Sequence, residues 1–211
     1  AVAFFPDGRS LLVADATHAM NDQDLYQLDL ESGAREALLP HEGRARYAAN
    51  RMKKGGSGFF SITDQGREFL SVAFRSATDG TLSWIVEHDG QDIEAVALAP
   101  DQNRLAYVAN DRGWNRIFVR EIAGGAEFEV EGFPAGSIGS VAWLPDGSGL
   151  VFPLDGSTSS PDIWRFDIAS KQVKRLTDAS KAGLDPAGFV EPTLASTKSF
   201  DGLEVPFFVY R

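Results

Sequence analysis

Short apolar runs separated by tight turns recur along the chain at a nearly constant interval. Each copy is anchored by a turn tripeptide between two apolar runs. The four anchors are Pro6-Asp7-Gly8, the degenerate Lys53-Lys54-Gly55, Pro100-Asp101-Gln102 and Pro145-Asp146-Gly147, and their first residues lie 47, 47 and 45 positions apart. Proline presets the first corner of such a turn, aspartate accepts a local backbone N–H, and glycine tolerates the positive φ that closes it. We therefore assign these tripeptides a conformational role.

A second marker, an aromatic residue at the centre of a strand-like segment, repeats in step with the turns. Tyr26, Phe118 and Trp164 occupy this place, and they are separated by 92 and then 46 residues, which is two periods and one. Around Trp164 apolar and polar residues alternate with the period of two that is typical of a half-buried strand. Repeats of this length that contain only short strands are typical of β-propeller blades. The pattern predicts an all-β fold of about four blades, each with four antiparallel strands, similar to WD40 repeats.

The four strands of each predicted blade, called A to D from the centre of the disc outward, have similar positions in every copy. They cover residues 2–5, 11–15, 25–30 and 35–39; 46–52, 59–63, 69–74 and 82–87; 93–98, 105–110, 117–122 and 127–131; and 138–144, 150–154, 163–168 and 173–176. Because consecutive strands alternate in direction, the B-to-C and D-to-A connections lie on the same side of the disc. We expect this side to hold the longer, more varied loops, where function usually resides.

The repeat pattern stops after Thr177. Residues 178–188 contain Gly183 and Pro186 and are typical of a linker. Two apolar runs, residues 193–198 and 203–210, then flank Asp201-Gly202, which is a strong hairpin signal. The sequence thus predicts a propeller segment over residues 1–178 and a linker followed by a hairpin over residues 179–211.

Two sets of motifs carry a resemblance to a known family. The first lies in the repeats and consists of the Pro-Asp-Gly turns, Asp24-Leu25-Tyr26 and Arg175-Leu176-Thr177; the second is the junction formed by Phe189-Val190-Glu191-Pro192, Ser199-Phe200-Asp201-Gly202 and Tyr210-Arg211. With these motifs the chain resembles the prolyl oligopeptidase family of serine peptidases, especially its acylaminoacyl-peptidase-like bacterial branch. Repeats of this kind also occur in TolB-like propellers, so it is mainly the junction that distinguishes this family from them.

The resemblance implies a place for this chain within a larger enzyme. It would be the C-terminal part of a propeller joined to the first hairpin of a truncated α/β-hydrolase domain. The parent enzyme would cleave peptides or acyl-peptides, and the propeller would restrict access to small, flexible substrates. The alternative is a free-standing TolB-like propeller that serves as a protein-interaction platform, in which residues 193–211 complete a blade by pairing with the N-terminal strand.

The family's catalytic serine stands in a Gly-x-Ser-x-Gly turn and is followed by an aspartate and a histidine. No serine of this chain has glycine at both of those flanking positions, so none of the triad residues can be carried over. The histidines His18, His41 and His88 fall in predicted connections without the close spacing of metal ligands, and we assign them to solvated loops. We expect neither catalysis by this segment alone nor a cofactor or metal.

Arg112 and Trp114 are the candidate site residues. They belong to the segment Asn110-Asp111-Arg112-Gly113-Trp114, which is predicted to be a B-to-C loop on the side where a hydrolase domain would dock. One interpretation is that both side chains contact the hydrolase domain or its substrate. The other is that they only fix the conformation of their own loop.

Charge and composition narrow the range of partners. A formal net charge of -10 disfavours nucleic acid and anionic membranes, because both bind through positive charge. No apolar run approaches the length of a membrane span. The chain has no cysteine, which fits a reducing compartment, and we expect it to be cytoplasmic. Blade edges left unpaired would favour self-association.

Overall fold

A computed structural model describes residues 2–179, 182–185 and 188–211. These residues form four antiparallel sheets of four strands and a separate two-stranded hairpin, and they contain no α-helix. The strands are β1 (Val2–Phe4), β2 (Ser10–Ala19), β3 (Asp22–Asp29) and β4 (Arg35–Ala37); β5 (Tyr47–Met52), β6 (Gly58–Thr63), β7 (Ser71–Ser76) and β8 (Leu82–Val86); β9 (Ile93–Leu98), β10 (Arg104–Asp111), β11 (Trp114–Glu121) and β12 (Glu127–Val130); β13 (Ala142–Trp143), β14 (Gly149–Gly156), β15 (Ser159–Asp167) and β16 (Val173–Arg175); and β17 (Thr193–Lys198) and β18 (Glu204–Val209).

Within each sheet the strands are hydrogen-bonded in their sequence order. The first strands of successive sheets adjoin one another, since β5 contacts both β1 and β9, and β9 contacts β13. The sheets therefore meet along their first strands, as the blades of a propeller meet at its axis. This arrangement confirms the predicted all-β fold class, and the sheets are called blades 1 to 4 below.

Each hydrophobic core lies between two neighbouring blades. The core between blades 1 and 2 includes Leu12, Leu25, Tyr47 and Phe59; the core between blades 2 and 3 includes Ile62, Val72, Leu105 and Tyr107; and the core between blades 3 and 4 includes Val108, Ile117, Phe152 and Phe166. All of these side chains are almost fully buried. Each of these three cores is shared by two blades, so each blade depends on its neighbours for stability.

The anchoring tripeptides form turns with the expected chemistry. In the fourth, Asp146 Oδ1 accepts hydrogen bonds from the Ser148 amide at 2.9 Å and from the Ser148 hydroxyl at 2.7 Å, while Gly147 has φ +70°. The turns also link successive blades. The Lys54 amide donates to Gln102 Oε1 at 2.9 Å, and Arg104 Nη2 donates to the Gly147 carbonyl at 3.3 Å. The turn side of the disc is therefore held together from blade 2 to blade 4.

The expectation of long B-to-C loops is wrong for three of the four blades. The sequence predicts loops at residues 16–23, 111–114 and 155–161, but β2–β3, β10–β11 and β14–β15 continue to two-residue turns at residues 20–21, 112–113 and 157–158. The alternation of apolar and polar residues ends where each strand leaves the core, but backbone hydrogen bonding between the strands continues beyond that point. Only blade 2 keeps an irregular connection, over residues 64–70.

Candidate functional site

The turn between β10 and β11 is the central element of the candidate site. Asp111 and Trp114 are directly paired, so Arg112 and Gly113 form the whole turn. Both have positive φ, +52° and +98°, and two-residue hairpins of this kind favour asparagine and glycine. The Gly113 amide donates to Asn110 Oδ1 at 2.8 Å. Arg112 thus occupies a left-handed conformation that costs a non-glycine residue about 1–2 kcal/mol.

The C-terminal hairpin packs on this turn. The ring of Phe208 in β18 lies against Trp114, with centroids 4.4 Å apart and planes tilted by 50°. A Cβ added to Gly113 would come within 2.8 Å of Phe208 Cε2. The space that Phe208 fills therefore exists because residue 113 has no side chain.

A carboxylate behind the turn holds its two strands in place. Glu94 in β9 accepts hydrogen bonds from Asn110 Nδ2 and from Asn115 Nδ2, both at 2.7 Å. Asn115 is buried, and its Oδ1 accepts a hydrogen bond from the Ile138 amide at 2.6 Å. The turn is therefore tied both to the inner strand of blade 3 and to the connection that enters blade 4.

The two arginines near the turn are held differently. Arg116 in β11 bonds Glu129 through Nε at 2.7 Å and pairs with Asp111 at 3.3 Å, and the hydrogen bond with Glu129 raises the pKa of Arg116 above its ordinary value. Arg112 contacts only Asp111, at 3.4 Å through Nε, among the residues that the structure describes, and its side chain is 67% exposed. Of these two arginines, Arg112 therefore has the more exposed side chain.

A cleft of about 610 Å³ separates the hairpin from blades 2 and 3. The propeller wall consists of Phe69, Gly90, Asp92, Asn110 and Arg112, and the hairpin wall consists of Leu194, Ala195, Ser196, Leu203, Glu204 and Pro206. Trp114 lines a smaller cavity of about 160 Å³, together with Pro134, Ala135, Ser157, Thr158, Glu191 and Pro192. The turn thus stands between the main cleft and the start of the C-terminal hairpin.

The structure brings both candidate residues to the junction between propeller and hairpin. Trp114 contacts Phe208, and Arg112 lines the cleft. Contact with substrate or with a hydrolase domain stays a prediction for both. Sequence reasoning missed Gly113, Phe208 and Glu94, and the only signal for any of them was the glycine in a short polar segment.

The histidines lie in separate local networks. His41 Nε2 is 3.0 Å from the Gln23 carbonyl oxygen, and His88 Nε2 is 2.8 Å from the Tyr107 hydroxyl. His18 lies in β2, and its side chain is outside the described part of the chain. Among the described residues, no group of three or more potential ligands is placed to hold a metal ion, and no helix has the length and hydropathy to cross a membrane.

Comparisons with known proteins point to one fold. No protein-family model matches the chain. The Tol-Pal system protein TolB of Ruthia magnifica subsp. Calyptogena magnifica is 22% identical over 120 residues, which is 56% of this chain and 28% of TolB. Among solved structures, puromycin hydrolase matches 99% of the chain at 15% identity with a TM-score of 0.81. Prolyl oligopeptidase B from Galerina marginata matches 100% at 17% identity, and a prolyl endopeptidase matches 98% at 17% identity, both with a TM-score of 0.78.

These likenesses define the class of the fold. The chain spans 30–33% of the length of the three solved structures. Because the identities are low, the likeness concerns the fold alone. That fold is a β-propeller with four-stranded blades. More narrowly, it matches the propeller region of prolyl oligopeptidases, and nearly the whole chain, including the C-terminal hairpin, takes part in the match.

Proposed function

We propose that this chain is the non-catalytic propeller segment of a prolyl-oligopeptidase-like serine peptidase, in which it gates the access of peptides to an α/β-hydrolase domain that begins with β17 and β18. The observation that carries the proposal is the docking of Phe208 on Gly113 and Trp114. A segment that only trailed from the propeller as a linker would not require an aromatic side chain fitted against one of its turns.

The other face of the hairpin supports a continuing domain. Val205 and Phe207 lie on the face opposite to Phe208 and are 41% and 43% exposed. An isolated two-stranded hairpin is marginally stable in water, and an apolar face is normally covered by further structure. Additional strands and helices of a hydrolase domain would supply that cover.

The substrate class comes from the solved structures and remains part of the proposal. The Galerina marginata enzyme is described in complex with a 35-residue substrate of hydrolysis and macrocyclisation. By analogy, the substrates here would be peptides or acyl-peptides. Since the hairpin covers the blade 3 turn, a substrate would pass between the hairpin and the propeller face, which favours small and flexible chains.

Hydrolysis by the full-length gene product tests this function. We expect it to cleave a short chromogenic peptide faster than the same sequence within a folded protein. Phe208→Ala should weaken this preference for short substrates, because it loosens the contact between hairpin and propeller. Leu30→Ala, at a 49% exposed position in the C-to-D turn of blade 1 on the opposite side of the disc, is the matched control and should preserve it. A full-length product that hydrolyses neither substrate would refute the proposal.

The second candidate is the free-standing interaction platform, which the similarity to TolB favours. One part of it is wrong, because within the described residues β17 pairs with β18 as a separate sheet and does not complete a blade with β1. Reading the gene downstream of Arg211 discriminates the two functions. A Gly-x-Ser-x-Gly motif with a later aspartate and histidine supports the peptidase, and an early stop codon supports the platform. The cytoplasmic compartment stays a prediction under both.

A further inference from the structure

Arg112 keeps a costly backbone conformation. Its φ of +52° is one that asparagine or glycine would adopt with less strain. Strained positions of this kind persist where the surrounding structure holds them, and they concentrate at functional sites. The strain at Arg112 therefore points to a role for its side chain.

The guanidinium of Arg112 is available to a ligand. Asp111 is its one partner among the described residues, and Asp111 also pairs with Arg116 at 3.3 Å. Its hydrogen bond to Asp111 uses Nε, so the two terminal nitrogens of Arg112 make no hydrogen bond within that part of the chain. The planar guanidinium group can donate two parallel hydrogen bonds to one carboxylate.

The cleft beside Arg112 suits a short peptide. Its volume of about 610 Å³ lies within the range of small-ligand sites, and Phe69, Leu194 and Pro206 give it apolar walls. Two carboxylates also line it and are hydrogen-bonded locally: Asp92 Oδ1 accepts from the Leu70 amide at 2.7 Å, and Glu204 Oε1 accepts from the Ser196 hydroxyl. Among the residues that the structure describes, no lysine or second arginine lines it.

We infer that this cleft binds the carboxylate of a short apolar peptide, with Arg112 as the residue that recognises it. The choice of a peptide rests on the proposed function, whereas the preference for a carboxylate rests on Arg112 itself. The carboxylate has two possible sources, the C-terminus of the peptide or an acidic side chain.

Calorimetric titration of the protein with three tetrapeptides tests the inference. The first has apolar residues and a free C-terminus, the second is the same peptide amidated, and the third is amidated with one residue replaced by glutamate. We expect a carboxylate peptide to bind about tenfold or more tightly than the neutral one, as charged hydrogen bonds do. The tighter of the two acidic peptides identifies the source. Equal affinities for all three, or no binding, would overturn the inference.

Arg112→Asn separates recognition from folding. Asparagine tolerates the left-handed conformation, so the urea midpoint should not fall, while the preference for carboxylate should disappear. Arg112→Lys retains the positive charge but not the two parallel donors, so it should retain only part of the preference for carboxylate. A preference that survives Arg112→Asn would refute the role of Arg112. These titrations need no hydrolysis, so their failure and the failure of the proposed function are seen separately.

Discussion

Phe208 lies against Trp114, with ring centroids 4.4 Å apart, and so joins the C-terminal hairpin to the third blade of the propeller. The contact spans 94 positions of the sequence. It is supported from behind by Glu94, which binds the asparagines on both strands of the turn. The aromatic contact between hairpin and propeller is therefore made at the two-residue turn of blade 3.

Replacing Phe208 by alanine should loosen the hairpin without unfolding the blades. An aromatic pair contributes about 1 kcal/mol beyond its buried area, so amide exchange in β17 and β18 should accelerate roughly fivefold. Hydrogen exchange followed by mass spectrometry measures this change. Phe207→Ala, on the opposite face, is the matched control and should change exchange by less than about twofold. Equal acceleration in the two variants would contradict the docking geometry.

Gly113 and Gly202 form a second matched pair. Both have positive φ, +98° and +87°, so alanine is strained at either position. A Cβ at Gly202 meets no atom within 4 Å, whereas one at Gly113 meets Phe208. Gly113→Ala should therefore destabilise the hairpin more than Gly202→Ala, measured again by amide exchange. The excess should vanish when Phe208→Ala is added, and an excess that persists would show that the clash lies elsewhere.

Asp162 fixes the start of the linker to blade 4. The side chain is 1% exposed, and its Oδ1 accepts hydrogen bonds from the Thr177 hydroxyl at 2.7 Å and the Ala179 amide at 2.8 Å. Asp162→Ala should lower the free energy of unfolding by about 2–3 kcal/mol, because charged hydrogen bonds of buried groups are lost. Urea denaturation measures the loss.

The control for this variant is Asp178→Ala, which removes a carboxylate that is 76% exposed and that pairs, within the described part of the chain, with Arg175 at 3.0 Å. It should change stability by less than about 1 kcal/mol. Limited trypsin digestion should also cleave after Arg175 faster in Asp162→Ala than in Asp178→Ala. Similar digestion rates would contradict a role for Asp162 in holding the linker.

The turn aspartates should make stability depend on acid pH. Hydrogen bonds from the Ser148 hydroxyl and amide lower the pKa of Asp146 below its ordinary 3.8, and bonds from the Ser170 amide and hydroxyl do the same for Asp167. A lowered pKa in the folded state contributes stability above pH 3.8 that is lost as the pH falls through the lowered value. The double variant Asp146→Asn, Asp167→Asn should therefore be less stable at pH 7, and its stability should fall less steeply as the pH is lowered. Urea midpoints measured from pH 7 to below pH 3.8 check this prediction, and an unchanged dependence of the midpoint on pH would contradict it.

The edge of blade 1 should promote association of the 211-residue chain. Strand β1 is the inner edge strand of its sheet, and its Phe4 is 64% exposed. Unpaired edges with exposed apolar side chains favour pairing between molecules. Light scattering over a dilution series should show a mass above that of the monomer, and Phe4→Glu should lower it, unlike Met20→Glu. A monomeric mass at every concentration would count against this expectation.

The blades were predictable because their signals are local. Turn residues such as Asp146 and Gly147 act within four positions, and the alternation around Trp164 needs only one strand. Trp164 indeed packs against the core between blades 3 and 4. The division of the chain at residue 178 stays a prediction.

The candidate site was predictable only in part. Their place in a predicted B-to-C connection points to Arg112 and Trp114, but that connection is predicted as a loop, because the sequence lacks the Asn-Gly pair that usually marks a two-residue hairpin. The contact with Phe208 could not be predicted. No periodic marker in the sequence relates the hairpin to a particular blade. The hairpin packs on blade 3, where Gly113 leaves space for Phe208.

The placement of the cores between blades sets the smallest piece that could fold after excision. A lone blade would carry two bare apolar surfaces, whereas a tandem pair encloses one complete core. Blades 3 and 4 share the most extensive of the three buried clusters. Residues 93–175 are therefore the shortest segment that keeps the largest of these cores complete, and each further blade would add one sheet and one further core.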